Sequence, residues 1–180
     1  MADPALWSLD PLLVWIPSAW LAVLLAHAGV SKLLDRPLFV QHLSAYRVPE
    51  HGQAALQHAL PLAELACAAL LLSPWRPTGA LMAAVLLGLY AAAMAVHLRA
   101  GRQLDCGCGG QPLPLSWALV ARNMALLPLA ALASLAPNSR AMTLADHAVT
   151  AAAVLLGALL WTAMHQLLRQ HRSTPRIHPH

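Results

Sequence analysis

Charge is scarce in this chain. Asp, Glu, Lys and Arg together make up 10% of its 180 residues, against about a quarter in a soluble domain. Too little charge is available to cover a water-facing surface, which argues against an ordinary soluble globule. The formal net charge of +4 comes from Lys and Arg scattered at the ends of apolar segments. No basic face results, which argues against a nucleic-acid-binding surface. Aromatic residues are few, with one Phe and two Tyr. The six Trp mostly stand near segment ends, where an interfacial belt collects them. There are only three cysteines, and two of them, Cys106 and Cys108, are one residue apart.

Apolar sequence is abundant: hydrophobic residues make up 59% of the chain. No Asp, Glu, Lys or Arg occurs in residues 11–31, 77–98 or 147–168. Each stretch reaches the ~20 residues a helix needs to cross ~30 Å of hydrocarbon. Two further stretches carry one central charge each, Glu64 within 53–75 and Arg122 within 116–136. The expectation is an all-α membrane protein of about five transmembrane helices. Residues 1–168 would form a single integral membrane domain, and 169–180 a basic, disordered tail. Ala26-His27-Ala28 imitates a signal-peptide cleavage site, but no Lys or Arg precedes Lys32, so residues 11–34 read as a retained helix. Between the first two spans, Leu38, Phe39, Leu43 and Tyr46 are spaced for one face of a short interfacial helix. Small residues fill the third span, Gly79, Ala83, Ala84, Gly88, Ala91, Ala92 and Ala95, and are expected at bundle contacts; Gly88 and Ala92 have the four-residue spacing that lets helices approach closely in lipid.

Five spans place the termini on opposite sides. Lys32, Arg36, Arg47, Arg99, Arg102, Arg169, Arg172 and Arg176 share a side with Cys106 and Cys108, against Arg76 and Arg140 opposite. By the positive-inside rule the cysteine side is cytoplasmic.

Chemistry concentrates on that side. Asp105-Cys106-Gly107-Cys108-Gly109-Gly110 puts two thiols on a glycine-rich turn. Such a pair can close a strained, reducible disulfide or hold a soft metal. Lys32, Glu64 and Arg122 come from three different helices and point toward the layer beneath the thiols. A charge inside a span costs roughly 2.5–3.5 kcal/mol on insertion scales, so each should face the bundle and find a partner. One reading is a structural ion pair. The other is a positive environment from Lys32 and Arg122 that favours thiolates, and the two are compatible. Cys67, one turn beyond Glu64 among alanines and leucines, reads as a small buried hydrophobe. His97 is the best placed of the ten histidines for metal ligation, yet no paired His pattern appears and no metal site is assigned.

Several short motifs then fall into a familiar order. Gly29-Val30-Ser31-Lys32-Leu33 is followed by Tyr46-Arg47-Val48-Pro49, Pro61-Leu62-Ala63-Glu64-Leu65, the Cys-Gly-Cys turn, Trp117 and Arg122-Asn123. This order resembles the methylamine-utilisation MauE family, related to the DoxX-like four-helix membrane proteins, over roughly residues 12–130. The resemblance implies a four-helix core plus a C-terminal helix, in a multi-pass protein of the bacterial inner membrane. It also implies a role in redox maturation of a disulfide-containing exported protein, of the methylamine dehydrogenase small-subunit type, beside a thioredoxin-like partner. Carried over by position, its functional residues are Lys32, Glu64, Cys106, Cys108, Arg122 and Asn123. Where the family often has an aromatic after the second Cys, this chain has Gly109. Maturation of an exported protein calls for thiols on the periplasmic side, opposite to the charge count.

Three functions fit these residues. The first is a dithiol–disulfide relay, possessing or lacking turnover as a thiol–disulfide oxidoreductase, with a membrane quinone as a fitting second electron carrier at the bilayer edge. The second is a carrier of copper or mercury. The third is a non-catalytic assembly factor.

Overall fold

The structure, a computed structural model, describes residues 9–102, 104 and 114–173. These form six helices: α1 (Pro11–Leu34), α2 (Arg36–Ala45), α3 (Glu50–Leu71), α4 (Arg76–Arg99), α5 (Trp117–Ser134) and α6 (Leu144–Ser173). All but α2 are long and apolar enough to cross a membrane. The fifth of these continues to Ser173, into the segment assigned to the tail from sequence.

Local signals set the helix boundaries. The Asp10 carboxylate caps α1 by accepting from the Leu12 amide at 2.9 Å, and Pro11 occupies the first turn, where its missing N–H is not needed. Asp35 caps α2 in the same way through the Leu38 amide at 3.1 Å. That helix stops where Arg47 takes φ 60°, and the Val48 amide donates back to the Leu43 carbonyl at 3.0 Å. This is the left-handed stop normally given to glycine. As expected of an interfacial helix, α2 buries Phe39 and Leu43.

In the bundle, α3 packs between α1 and α4, and α5 packs between α4 and α1, closing a ring of four helices. Short α2 lies against α3 and α1, while α6 lies outside the ring on α1. Outward-facing Leu13, Val23, Leu62, Leu81, Val85, Leu89 and Met124 are exposed, as helix faces turned to lipid require.

Close approaches fix the neighbours. A Cβ on Gly29 would stand 2.9 Å from the Pro61 carbonyl oxygen and 3.3 Å from the Glu64 Cβ, so α1 and α3 touch backbone to side chain here. At the α3–α4 turn a Cβ on Gly79 would meet the Leu71 amide nitrogen at 2.7 Å. The small-residue contact expected at Gly88 and Ala92 is not where α4 packs. Nothing lies within 4 Å of a Cβ built on Gly88, and Ala92 is exposed. Gly79, Ala83 and Ala91 of the expected set do lie on the buried face of α4, with Ala80, Leu87 and Met94. A four-residue spacing sets which residues share a face, but not which face meets a neighbour.

Opposite the cysteine loop, polar contacts close the bundle. The Arg76 guanidinium donates to the Leu135 carbonyl at 2.8 Å and lies 5.6 Å from the Trp15 ring, joining α4, α5 and α1. Arg140 pairs with Asp10 at 3.0 Å and Asp146 at 2.8 Å, tying the α1 cap to the start of α6.

Candidate functional site

The core is divided by depth. A large apolar cluster contains Leu21, Leu25, Leu71, Leu87, Leu126 and Ala130, and a small one contains Met94, Leu115 and Leu119. Between them the four ring helices each place a polar side chain. Along α3 the buried stripe reads Pro61, Glu64, Cys67, Ala68, Leu71. On α5 it reads Leu119, Asn123, Leu126, Ala130, Ala133. Glu64 and Asn123 therefore take positions that the three-and-four spacing of a buried helix face reserves for the core.

Two expected residues meet directly. The Lys32 Nζ donates to Glu64 Oε1 at 2.6 Å, with side-chain exposures of 6% and 0%. The close approach at Gly29, one turn earlier on α1, brings that ammonium within reach of α3. A third member was not anticipated from sequence: the Tyr90 hydroxyl of α4 donates to the same Oε1 at 2.7 Å. Its ring lies 5.4 Å from Lys32 Nζ, and the Phe39 ring of α2 lies 5.7 Å from it. The ammonium is thus held by one carboxylate oxygen and two aromatic faces. Glu64 Oε2 is fully buried and has no hydrogen-bond partner among the described residues.

Tyr90 also packs against both apolar clusters. The small cluster meets the described residues on either side of the cysteine segment. Leu115 belongs to it, Leu104 packs on it, and the Leu115 amide donates to the Leu104 carbonyl at 2.7 Å. These two leucines bracket residues 105–114 in the sequence. Cys106 and Cys108 lie outside the described residues. Beside that cluster, His97 is buried at the end of α4, edge-on to Tyr46 at 4.7 Å between ring centroids. Its Nδ1 lies 3.0 Å from an Arg102 guanidinium nitrogen. Among the described residues no three His, Cys, Asp or Glu side chains cluster to hold a metal.

The expected residues divide between two places. Asn123 is buried on the same face as the polar layer, but Arg122, next in the helix, is turned about 100° away. The Arg122 guanidinium lies 4.7 Å from the Trp161 ring of α6, and Trp161 meets Trp20 of α1 edge to face at 6.0 Å. Arg122 thus sits at the α6 seam, while Glu64 takes its ion pair from Lys32. Cys67 donates its thiol to the Gly79 carbonyl at 3.2 Å, at the end of the bundle remote from the cysteine loop. That is the contact of a small core residue.

The arrangement can hold a positive charge steady inside the bilayer and present a carboxylate with one oxygen engaged by two donors. The model of the methylamine utilisation protein MauE family matches residues 10–136, from the cap of α1 through α5. The methylamine utilization protein MauE of Paracoccus versutus is 39% identical over 158 residues, covering 84% of this chain and 83% of that protein. Its namesake in Paracoccus denitrificans is 37% identical over 127 residues, covering 68% of each. In Methylophilus methylotrophus the namesake is 36% identical over 110 residues, 59% of this chain and 58% of the relative. No solved structure matches the chain. A family match spanning the ring of four helices, joined by relatives over most of the chain, means that this protein belongs to the methylamine utilisation protein MauE family.

Proposed function

We propose that the protein is a thiol–disulfide relay in the bacterial inner membrane. In this reading it supports maturation of a disulfide-containing exported protein, of the methylamine dehydrogenase small-subunit type, with a thioredoxin-like partner. Family membership implies a role in methylamine utilisation, and the relay is the chemical form that the cysteine pair gives to it.

The observation that carries the reading is the footing of the cysteine loop. Cys106 follows Leu104 by two residues. Leu104 in turn accepts from Leu115 and packs on a buried cluster. The described residues on either side of the segment that carries the two thiols and three glycines, Leu104 and Leu115, are thus held to each other and to the small buried cluster. A thiolate at Cys106 or Cys108 would attack one sulfur of the partner's disulfide, forming a mixed disulfide and expelling the partner's other sulfur as thiolate. The second cysteine would then attack the mixed disulfide, closing Cys106–Cys108 and releasing the partner as a dithiol. Two electrons pass to the partner, and the two protons shed by the attacking thiols are balanced by the two its thiolates gain. The reverse sequence oxidises the partner.

Within this reading Lys32 supplies positive charge, Glu64 and Tyr90 hold Lys32 in place, and Asn123 adds a polar group to the same layer. Arg122 acts as the link to α6. Cys106→Ser and Cys108→Ser, produced separately in a host dependent on the client, should each abolish formation of the client's disulfides. Normal client disulfides in both variants would refute the relay.

A further inference from the structure

Two guanidinium groups and a buried imidazole meet where α4 leaves its span. His97, 9% exposed, lies in the last turn of α4, with its ring edge-on to Tyr46 at 4.7 Å. Its Nδ1 is 3.0 Å from an Arg102 guanidinium nitrogen. A guanidinium offers only donors, so Nδ1 accepts and the imidazole hydrogen is on Nε2. Among the described residues no hydrogen bond engages that Nε2–H. Arg47, next to Tyr46 in the α2–α3 link, is exposed, and its charge acts on His97 together with that of Arg102.

Tight turns set both arginines in place. Arg47 itself takes φ 60°, and Gly101 takes φ 68° just before Arg102, whose amide donates to the His97 carbonyl at 3.2 Å. The cluster is short of negative charge. Ion pairs among the described residues join Lys32 to Glu64 and Arg140 to Asp10 and Asp146, and none reaches Arg47 or Arg102. Two like charges around one neutral ring repel each other, and an anion held by both turns that cost into attraction.

We propose that Arg47 and Arg102, with His97 Nε2–H as a further donor, bind a phosphate-borne negative charge, supplied in the bilayer by the headgroup of an anionic phospholipid. Depth favours a lipid over an acidic protein surface. The span of α4 ends at Arg99, and α2 lies beside it as an interfacial helix that buries Phe39 and Leu43. The cluster thus stands at the level of the headgroups, just outside the hydrocarbon. Arginine forks pair with phosphate oxygens through two parallel N–H bonds, and basic pockets beside spans recognise anionic headgroups. No thiol or electron takes part, so the site stands or falls apart from the relay.

Lipid retention tests it. Full-length protein is reconstituted in equal parts phosphatidylglycerol and phosphatidylcholine, extracted into mild detergent and weighed by native mass spectrometry. Phosphatidylglycerol should be retained in preference to phosphatidylcholine. Arg47→Gln and Arg102→Gln should each lower its retention about fivefold. His97→Phe keeps a flat ring, removes the donor and should weaken retention in the same direction. Arg99→Gln, which removes an exposed cation at the same end, should leave retention unchanged. Inorganic phosphate in excess over the lipid should not displace it, and complete displacement would give the site to free phosphate and overturn the lipid assignment. Equal retention of the two lipids would overturn the proposal. So would an equal loss in Arg99→Gln, the mark of a diffuse basic surface. Variants at Arg47 and Arg102 that keep their lipid but lose capture of a thioredoxin-like partner would assign the arginines to protein docking and sink the proposal.

Discussion

Lys32 and Glu64 form a buried pair in a region where either charge alone would be stranded. Removing one partner from such a pair costs about 3–5 kcal/mol, because the other remains buried and uncompensated, whereas replacing both with apolar groups of similar size is often close to neutral. Glu64→Leu should therefore lower stability by about that amount. The double variant Lys32→Met/Glu64→Leu should recover most of the loss in denaturation followed by helical circular dichroism. Equal losses in single and double variants would mean that the pair is not what the layer depends on. Gly29→Leu acts on the same layer by sterics. Its side chain meets the Pro61 carbonyl and the Leu65 side chain where a bare Cβ already stands at 2.9–3.0 Å. Overpacking of this kind costs about 1–3 kcal/mol, and here it also draws Lys32 from Glu64. Sequence made part of this legible. Lys32 and Glu64 stood out because charges in apolar stretches are few, and Cys67 read correctly as a core thiol. Tyr90 did not stand out: an aromatic in a run of Leu and Ala looks like packing, and only the fold shows its hydroxyl 2.7 Å from a carboxylate on another helix.

Helices, as elements, follow the sequence closely where a local signal exists. The first helix begins and ends at 11 and 34, as read from the chain, because Asp10 and Pro11 mark its start. Faces are harder to read than boundaries. Of the small residues expected at contacts on α4, Gly79 meets the α3–α4 turn closely, while Gly88 and Ala92, chosen for their spacing, do not face a neighbour. Arg122 and Asn123 are adjacent in sequence yet serve different neighbours, since consecutive residues are about 100° apart around a helix. Only Asn123 falls on the stripe with Leu119 and Leu126. The outer helix α6 lies beyond the residues 10–136 that the family model matches, and it rests on α1 through Gly157. A Cβ there would meet the Trp20 ring at 3.0 Å. Gly157→Leu should loosen α6 without unfolding the ring of four helices. The expected result is faster proteolysis of the α5–α6 link, with α1–α5 retained as a protected fragment. Loss of the whole bundle at the same protease dose would contradict that division.

Across the whole molecule the two ends differ. The end remote from the cysteine loop is fastened by Arg76 and by the Arg140–Asp10–Asp146 clasp. The Arg140 guanidinium donates to Asp10 and holds that carboxyl below its usual 3.8. A lowered native pKa gives a contribution to stability that is full above 3.8 and fades as pH falls through the native value. Acidification below about pH 4 should therefore weaken the clasp. Arg140→Gln should flatten this part of the pH dependence, and an unchanged acid limb in that variant would contradict the assignment. The opposite end holds the polar layer of Lys32, Glu64 and Tyr90 and the small cluster under Leu104 and Leu115. Five spans were readable from hydropathy because the bilayer imposes a length on each helix. The polar layer itself was not, because it depends on which side chains meet across α1, α3 and α4.

The central claim is that Cys106 and Cys108 exchange disulfides with a thioredoxin-like partner. Trapping tests it most directly. Cells making Cys106→Ser or Cys108→Ser are quenched with acid, alkylated, and analysed for a covalent adduct by non-reducing electrophoresis and mass spectrometry. One single variant should accumulate a mixed disulfide with a thioredoxin-like protein, which is dissolved by reductant and missing from the double variant. No adduct in either single variant, with client disulfides still forming in the double variant, would contradict the account.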